Sequence, residues 1–220
     1  MKNKLLLLIL FTQHSYFSHS QDTLHFIGNS AIFGLGINKG DGSVQPYKAD
    51  NWQLLNNQSN FVIEYHIKAG KLFKPLSNHY SGFFESGLRL GYQSGRITNG
   101  IEKRSYSETT IGIPVSLGLA KKVKKRILKH AAGFAYYGSL LEEVKLVSET
   151  DRKWGFFSQA RGLFFFNTQL MLPSKKAGRY HGIGIEVSRD VGFNYKSTAI
   201  PFVIENFRVG LMFTPFCDFF

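Results

Sequence analysis

The chain has 220 residues, a formal net charge of +12 at pH 7 and an isoelectric point near 9.8. This length predicts one all-β domain, since barrels and sandwiches of about 200 residues fold as single units. A single cysteine excludes an intrachain disulfide, so burial or closure of a sheet has to stabilise the fold. Phenylalanine (21 residues) and glycine (22 residues) are abundant, and phenylalanine is enriched in strands.

The first part of the chain has the pattern of a secretory signal peptide. Two lysines open it, residues 5–11 form an unbroken apolar run, and Ser18 and Ser20 supply the small residues of a cleavage site. The run is too short for a transmembrane helix, which needs about 20 residues. We therefore predict a signal peptide at 1–20 and a mature domain at 21–220. The alternative is an uncleaved helix buried in the fold.

Beyond this segment, hydrophobic residues alternate with small or polar ones along most of the chain. In the second such segment, for example, Phe61, Ile63 and Tyr65 alternate with Glu64 and His66. A period of two places successive side chains on opposite faces of a strand. We predict eight strands, near residues 26–38, 60–71, 79–93, 111–120, 128–139, 154–172, 179–189 and 201–213. In the fifth, alanines and glycine leave the facing undecided.

The fourth segment shows the clearest alternation. Its odd-numbered positions are aliphatic, and its even-numbered positions are glycine, proline, serine or alanine. A soluble sheet normally turns a polar face to water, whereas an aliphatic outer face and a small inner face suit a strand between lipid and a narrow lumen. The predicted lipid-facing residues are Ile111, Ile113, Val115, Leu117 and Leu119.

The connections between the predicted strands alternate in character. Those after the second, fourth and sixth strands are short and rich in lysine. The others are mostly longer and more polar, at about residues 40–59, 94–108, 140–153 and 190–200. Short turns at one rim and longer loops at the other are typical of outer-membrane barrels, with both termini in the periplasm. The sequence therefore predicts an all-β fold, an eight-stranded antiparallel up-and-down transmembrane β-barrel.

Four features together resemble the small outer-membrane β-barrel proteins common in Bacteroidetes. They are a signal that ends before Gln21, eight alternating segments, lysine-rich turns and the terminal Phe220. The resemblance implies a location in the outer membrane of a Gram-negative bacterium, surrounded by the lipid bilayer and lipopolysaccharide. It also implies a structural or interaction role, with envelope or secretion-system proteins as candidate partners.

The end of the chain departs from the pattern of that family. The last strand of such proteins usually runs into a C-terminal aromatic residue, but Pro215 interrupts residues 213–220. Proline cannot donate to a strand ladder. Either the strand ends at Phe213 and a short tail follows, or the assembly signal is atypical.

The predicted facing places charged side chains inside the barrel. Eight strands enclose an interior just wide enough for side chains to fill. We therefore expect a lumen plugged by a mutually neutralising charge network, with a proton or solute path as the alternative. Its predicted members are Glu64, His66, Lys68, Glu85, Arg89, Arg161, Glu186 and Arg208.

Several aromatic residues lie near predicted strand ends or loops. Amphipathic rings are favoured at the membrane interface, and we expect these residues there. They are Trp52, Tyr65, Tyr80, Tyr92, Tyr136, Tyr137, Trp154 and Tyr180.

We expect no catalytic site, although a lipid-modifying outer-membrane enzyme is one alternative function. His181 and Ser188 have an odd spacing that places them on opposite faces, and His79 and Ser81 share a face without a nearby acid to orient them.

Metal, cofactor and nucleic-acid binding are not expected either. No zinc-type spacing of cysteine and histidine occurs in the sequence. The basic run at 121–126 and the high isoelectric point would suit nucleic acid, but a signal peptide directs the chain away from the cytosol. The remaining alternative is a secreted, soluble, lipocalin-like barrel that binds a small apolar ligand, with residues 111–119 turned inward.

Overall fold

The computed structural model describes residues 24–38, 53–54, 59–98, 103–145, 150–191 and 206–220, so the predicted signal peptide lies outside the described residues. The strands are β1 (His25–Asn38), β2 (Gln53–Leu54), β3 (Ser59–Leu72), β4 (Ser81–Thr98), β5 (Lys103–Val123), β6 (Arg126–Lys145), β7 (Thr150–Pro173), β8 (Arg179–Val191) and β9 (Asn206–Phe219). Within the described part of the chain, no helix is long and apolar enough to cross a membrane.

Eight of these strands form one closed antiparallel barrel. Apart from β2, each strand pairs with its neighbours in chain order, and β1 pairs with β9 to close the ring. The two-residue β2 pairs with the end of β4, outside this ring. The prediction of an all-β, eight-stranded antiparallel barrel is confirmed. Closure gives every long strand a hydrogen-bonded neighbour on both sides, so the sheet has no open edge at the levels where all eight strands run side by side.

Several strands extend beyond the apolar alternation. β4 and β5 remain paired as far as Thr98 and Lys103, and β6 and β7 as far as Lys145 and Thr150. The expectation of loops at 94–108 and 140–153 is therefore largely wrong. The physical reason is that a backbone ladder continues whether its side chains are apolar or polar.

Other strand ends also differ from the prediction. β4 begins at Ser81, so that His79 and Tyr80 belong to the turn before it. β9 begins at Asn206, and residues 201–205, which were predicted to be strand, lie outside the described residues.

Side-chain burial alternates along the strands with polar groups inward. On β3, Phe61, Ile63 and Ile67 are 37–47% exposed, whereas Glu64 and Lys68 are at most 6% exposed. On β5, Val115, Leu117 and Leu119 point outward and are exposed, while Ile111 and Ile113 lie on the same face and are half-buried. The barrel therefore has an apolar exterior and a polar interior along these strands.

Glycines on the inner face make room for large aromatic rings. A Cβ atom added at Gly118 would collide with the ring of Phe83, and one at Gly112 would lie 2.5 Å from Cβ of Tyr137. Both rings belong to other strands and fill the lumen. The small inner face of β5 is thus complementary to bulky residues across the barrel.

Pro215 lies in a β-bulge that allows β9 to continue to Phe219. Pairing shifts by one residue between Phe213 and Phe216 relative to β1, and between Thr214 and Cys217 relative to β8. A residue in a bulge does not have to donate a hydrogen bond to the ladder, so proline is tolerated there. The bulge also reverses which residues face inward, so that Thr214 and Cys217 are both buried. Of the two outcomes expected from the sequence, a strand that ends at Phe213 is therefore wrong.

We expect Cys217→Asn to destabilise the barrel much more than Pro215→Asn. The bulge turns Cys217 inward, where it is 1% exposed, so asparagine there buries an amide without partners at a cost of about 1–3 kcal/mol. Pro215 is exposed, and asparagine there should change stability by no more than about 0.5 kcal/mol. Urea unfolding of the refolded protein measures both variants, and equal midpoints would contradict this role of the bulge.

Candidate functional site

The interior of the barrel holds all eight residues of the predicted charge network. Strand β3 supplies three of them from alternate positions, β4 supplies two, and β7, β8 and β9 supply one each. Each is at most 6% exposed. The structure places inside the barrel Glu64, His66, Lys68, Glu85, Arg89, Arg161, Glu186 and Arg208.

The centre of the network is a pair of arginines that share one carboxylate. Arg89 donates to Glu64 and, at 2.6 Å, to Glu186 Oε1 on the far side of the lumen. Arg208 donates to Glu64 Oε1 at 2.9 Å and to both carboxylate oxygens of Asp190, at 2.8 and 2.7 Å. Each arginine thereby binds two acids, and β3, β4, β8 and β9 are connected through their side chains.

A hydroxyl group completes this cluster. The Tyr137 hydroxyl donates to Asp190 Oδ1 at 2.5 Å and accepts from Arg208 at 3.3 Å. The guanidinium groups of Arg161 and Arg208 lie 5.0 and 6.0 Å from the centre of the Tyr137 ring. Tyr137 therefore combines a cation–π surface with a hydrogen bond in one buried side chain.

Two further ion pairs flank the centre. Arg161 donates to Glu108, which also accepts from Gln93 and Ser139. In the second pair, Lys129 donates to Glu85.

Both members of the Lys129–Glu85 ion pair make further contacts. Ser116 donates to Glu85 at 3.1 Å, and the Lys129 ammonium lies 4.5 Å from the ring centres of Phe26 and Phe83. Charge-assisted hydrogen bonds of this kind are stronger than neutral ones, which compensates for part of the cost of burying the ions.

Formal charges balance among the described interior residues. Five acidic side chains are buried, namely Glu64, Glu85, Glu108, Glu186 and Asp190, and so are five basic ones, namely Lys68, Arg89, Lys129, Arg161 and Arg208. With His66 uncharged, the sum is zero. A lumen of this composition does not require a bound ion for neutrality.

Four members of this network were not predicted from the sequence. Glu108 and Asp190 fell in expected loops, and Lys129 fell in the strand of undecided facing. The alternation itself was the available signal. Glu108 is an even number of residues from the inward positions Gly112 and Ser116, and Asp190 is an even number of residues from Glu186. Extending each alternation by two to four residues would have found both acids.

Tyr137 is the fourth, and its predicted place at a membrane interface is wrong. It is 4% exposed and lies inside the barrel, because it has the same parity on β6 as the buried residues Lys129, Ala131 and Ala135. The outward-facing tyrosines are Tyr65, Tyr80, Tyr92 and Tyr136, at 39–49% exposure.

The other predicted interface aromatics have different outcomes. Tyr180 is partly buried, with its ring 5.5 Å from that of Phe219, and its place at an interface stays a prediction. Trp52 and the side chain of Trp154 lie outside the described residues.

An apolar cluster fills the barrel at the end that carries the short turns. Its buried members are Phe26, Leu72, Phe83, Ala120, Ile127, Ala131, Met171 and Cys217, and Leu24, Leu76, Tyr180 and Phe219 pack against them. The rings of Phe26 and Phe83 meet edge to face with centres 5.9 Å apart. We call this cluster the apolar plug, because it obstructs the lumen below the charge network.

A small cavity lies between the plug and the centre of the network. It measures about 20 Å³ for the centre of a water molecule, and its lining includes His66, Lys68, Glu85 and Asn167. This volume accommodates about one water molecule. Phe165 and Pro114 line it beside the charged groups, and the cavity is too small for an apolar ligand.

The histidines considered for catalysis are not paired with serines in the described part of the chain. Ser81 is buried and donates to the Pro75 carbonyl at 3.0 Å, while His79 is exposed in the turn. Ser188 faces the lumen and His181 is exposed, as their odd spacing predicts.

One hydroxyl–imidazole contact in the described part of the chain lies away from these residues. His130 Nδ1 is 2.8 Å from Thr168 Oγ1, and the two groups satisfy each other between β6 and β7. Among the described residues, no group of histidine, cysteine and carboxylate side chains is arranged to hold a metal ion.

These observations define a class of protein, an eight-stranded antiparallel β-barrel with a charged, filled interior. No family model matches the chain, and no curated protein is significantly similar to it in sequence.

We expect Arg208→Met to lower the free energy of unfolding by about 3–5 kcal/mol, because Glu64 and Asp190 lose a shared buried counterion. Arg208→Lys should fall between wild type and Arg208→Met, since an ammonium keeps the charge without the planar fork. Urea unfolding of the refolded barrel is the measurement.

The matched control is Val209→Met, one residue further on the outer face, where the side chain is 47% exposed. Similar stability losses for Arg208→Met and Val209→Met would show that the central cluster does not stabilise the barrel.

Proposed function

We propose that this protein is an outer-membrane β-barrel of a Gram-negative bacterium. Its role is structural or interactive, its lumen is closed, and it carries out no catalysis. The observation that supports this proposal best is the inverted arrangement of side chains, with apolar residues outside the closed sheet and charges within.

The apolar exterior extends around the whole barrel. Each of the eight long strands contributes at least one exposed, large hydrophobic residue, such as Phe33 on β1, Leu117 on β5 and Ile185 on β8. Contiguous apolar patches above a few hundred Å² are rare on soluble monomers, and each exposed Å² costs about 25 cal/mol in water. A bilayer removes this cost, and it tolerates a sheet only if the sheet is closed.

Charged residues on the outer face lie near its ends. Lys71 and Lys121 are close to the short turns, and Arg189 is close to the opposite end of β8. Between these levels, the outward positions of the described strands carry no Asp, Glu, Lys or Arg. A band of this kind, with tyrosines such as Tyr80 and Tyr92 exposed towards its margins, is what lipid-spanning barrels present to hydrocarbon.

The filled interior favours a closed barrel and argues against both a pore and a ligand carrier. A lipocalin-like barrel needs an apolar cavity inside and a polar surface outside. Here ion pairs occupy the centre, and the apolar plug occupies the turn end. The outer face and the rims of the barrel are therefore the surfaces that can contact the envelope.

Leu117→Arg distinguishes a membrane barrel from a soluble one. Leu117 is 60% exposed in the middle of the outer band. In a bilayer, arginine at this depth should cost about 2–4 kcal/mol, whereas in a water-soluble barrel an exposed substitution should cost no more than about 0.5 kcal/mol. Unfolding titrations in phospholipid vesicles provide the measurement.

Val123→Arg serves as the control, because Val123 is similarly exposed but lies at the turn rim, where the cost in a bilayer falls to about 0–1 kcal/mol. Equal stability of Leu117→Arg and Val123→Arg, together with solubility without detergent, would contradict the membrane location.

A double variant tests the closed lumen. We expect the wild-type protein to show no steady conductance in planar bilayers, and Phe26→Ala combined with Phe83→Ala to conduct ions, because the variant removes both rings of the apolar plug. Phe33→Ala with Phe84→Ala is the matched control, since these two rings lie on the outer face. Steady conductance of the wild type would contradict a plugged barrel.

A further inference from the structure

We propose that the turn end of the barrel binds the phosphate groups of anionic phospholipids through a basic rim. The members of this rim are Lys71, Lys74, Lys121, Lys122, Lys124, Lys125, Arg126, Lys175, Lys176 and Arg179, all exposed or half-buried. The inference rests on the proposed membrane location and adds to it a lipid class and a leaflet, the one on the side of the short turns.

The rim has almost no acidic side chains of its own. Among its described residues the only acid is Asp218, and Arg179 donates to both oxygens of Asp218 at 2.6 Å. The remaining basic groups thus form a positive field, which attracts anionic headgroups within about a Debye length.

The positive charge is distributed around the circumference of the barrel. The β3–β4, β5–β6 and β7–β8 turns, together with the strand ends next to them, each contribute at least two of the basic residues. These turns alternate around the closed ring with the loop-side connections. A field that faces several directions matches a lipid leaflet surrounding the barrel. A globular acidic partner docked at one side would need charge on that side only.

Exposed apolar groups place the rim at the level of the headgroups. Phe73, Tyr80 and Val123 are 47–57% exposed beside the lysines, and the Lys121 ammonium lies 5.3 Å from the centre of the Tyr80 ring. Aromatic rings with adjacent cations are typical of the boundary between hydrocarbon and headgroups. The basic rim therefore begins where the apolar band ends.

The described residues of the opposite rim lack this bias. The ends of β5, β6 and β7 on the loop side place Lys103, Arg104 and Lys145 close to acids such as Glu142 and Asp151 along the backbone. Signs are mixed there, so among the described residues the strong positive field belongs to the turn end.

The test measures which lipids contact the inserted barrel. The full-length protein is reconstituted in phosphatidylcholine vesicles that contain a trace of spin-labelled phosphatidylglycerol or phosphatidylcholine, and the motionally restricted fraction gives a relative association constant. We expect at least about fivefold preference for phosphatidylglycerol, which falls towards one in high salt.

The test variant is K122Q/K124Q/K125Q/R126Q, which removes four charges from the exposed β5–β6 turn. The control variant, K103Q/R104Q/K145Q/K153Q, removes four charges at the loop side. We expect the first variant to lose most of the preference and the second to retain it. Both variants must keep the gel mobility shift of the folded barrel on heating.

Each result has a distinct meaning. Insertion without lipid preference, or equal loss in both variants, would overturn the headgroup proposal but leave the membrane location intact. Failure of the wild type to insert into either vesicle would overturn the proposed function itself. Loss of preference on addition of inorganic phosphate at constant ionic strength, or of soluble polyglutamate, would reassign the rim to a free anion or an acidic protein and overturn the lipid proposal.

Discussion

Charged side chains can occupy the interior of this barrel because four of the five buried basic groups form ion pairs with an acid from a different strand. Arg89 of β4 bridges Glu64 of β3 and Glu186 of β8, and Arg208 of β9 binds Asp190 of β8. An isolated ion in such a place would cost several kcal/mol in lost hydration. Pairing offsets that cost, and it also connects strands that are not neighbours in the sheet. The ring of backbone hydrogen bonds and the network of side chains therefore depend on one another.

The inner and outer faces are two consequences of the same pleat. Because a strand turns alternate residues to opposite sides, charges that converge inside leave the aliphatic and aromatic residues outside. The apolar plug at the turn end is the exception, and there the inward residues are hydrophobic. The bulge at Pro215 makes this exception possible for β9, since it brings Cys217 back to the inside of the barrel. The filled lumen leaves the outer face and the rims as the surfaces that meet the surroundings.

The two ends of the barrel differ in charge, and this difference gives the barrel a direction. Basic residues are concentrated in the short turns, and mixed charge is found at the other rim. A closed sheet alone has no preferred orientation, whereas a charged rim next to an apolar band does. In the proposed membrane, attraction of the rim to anionic headgroups and burial of the band would act on adjacent parts of the same molecule. The two effects would therefore favour the same placement.

Prediction from the sequence was most accurate where the argument needed only local alternation. All eight residues expected inside are found there, including Glu64 and Arg208, which are far apart in the chain. It failed where alternation is interrupted or where the signal is weak. Lys129 and Tyr137 lie in a strand whose alanines and glycine hide its facing, and Glu108 and Asp190 extend strands into what composition suggested were loops.

The sequence by itself determined the number of long strands, the face of most residues and the position of the basic turns, because a period of two and the chemistry of turns are properties of neighbouring residues. Only the tertiary structure decided that β1 closes on β9, that Arg89 reaches Glu186, and that a bulge carries β9 past Pro215. Those features depend on the stagger of strands around the ring. Stagger sets which residues lie at the same height in the lumen, and no short stretch of sequence contains that information.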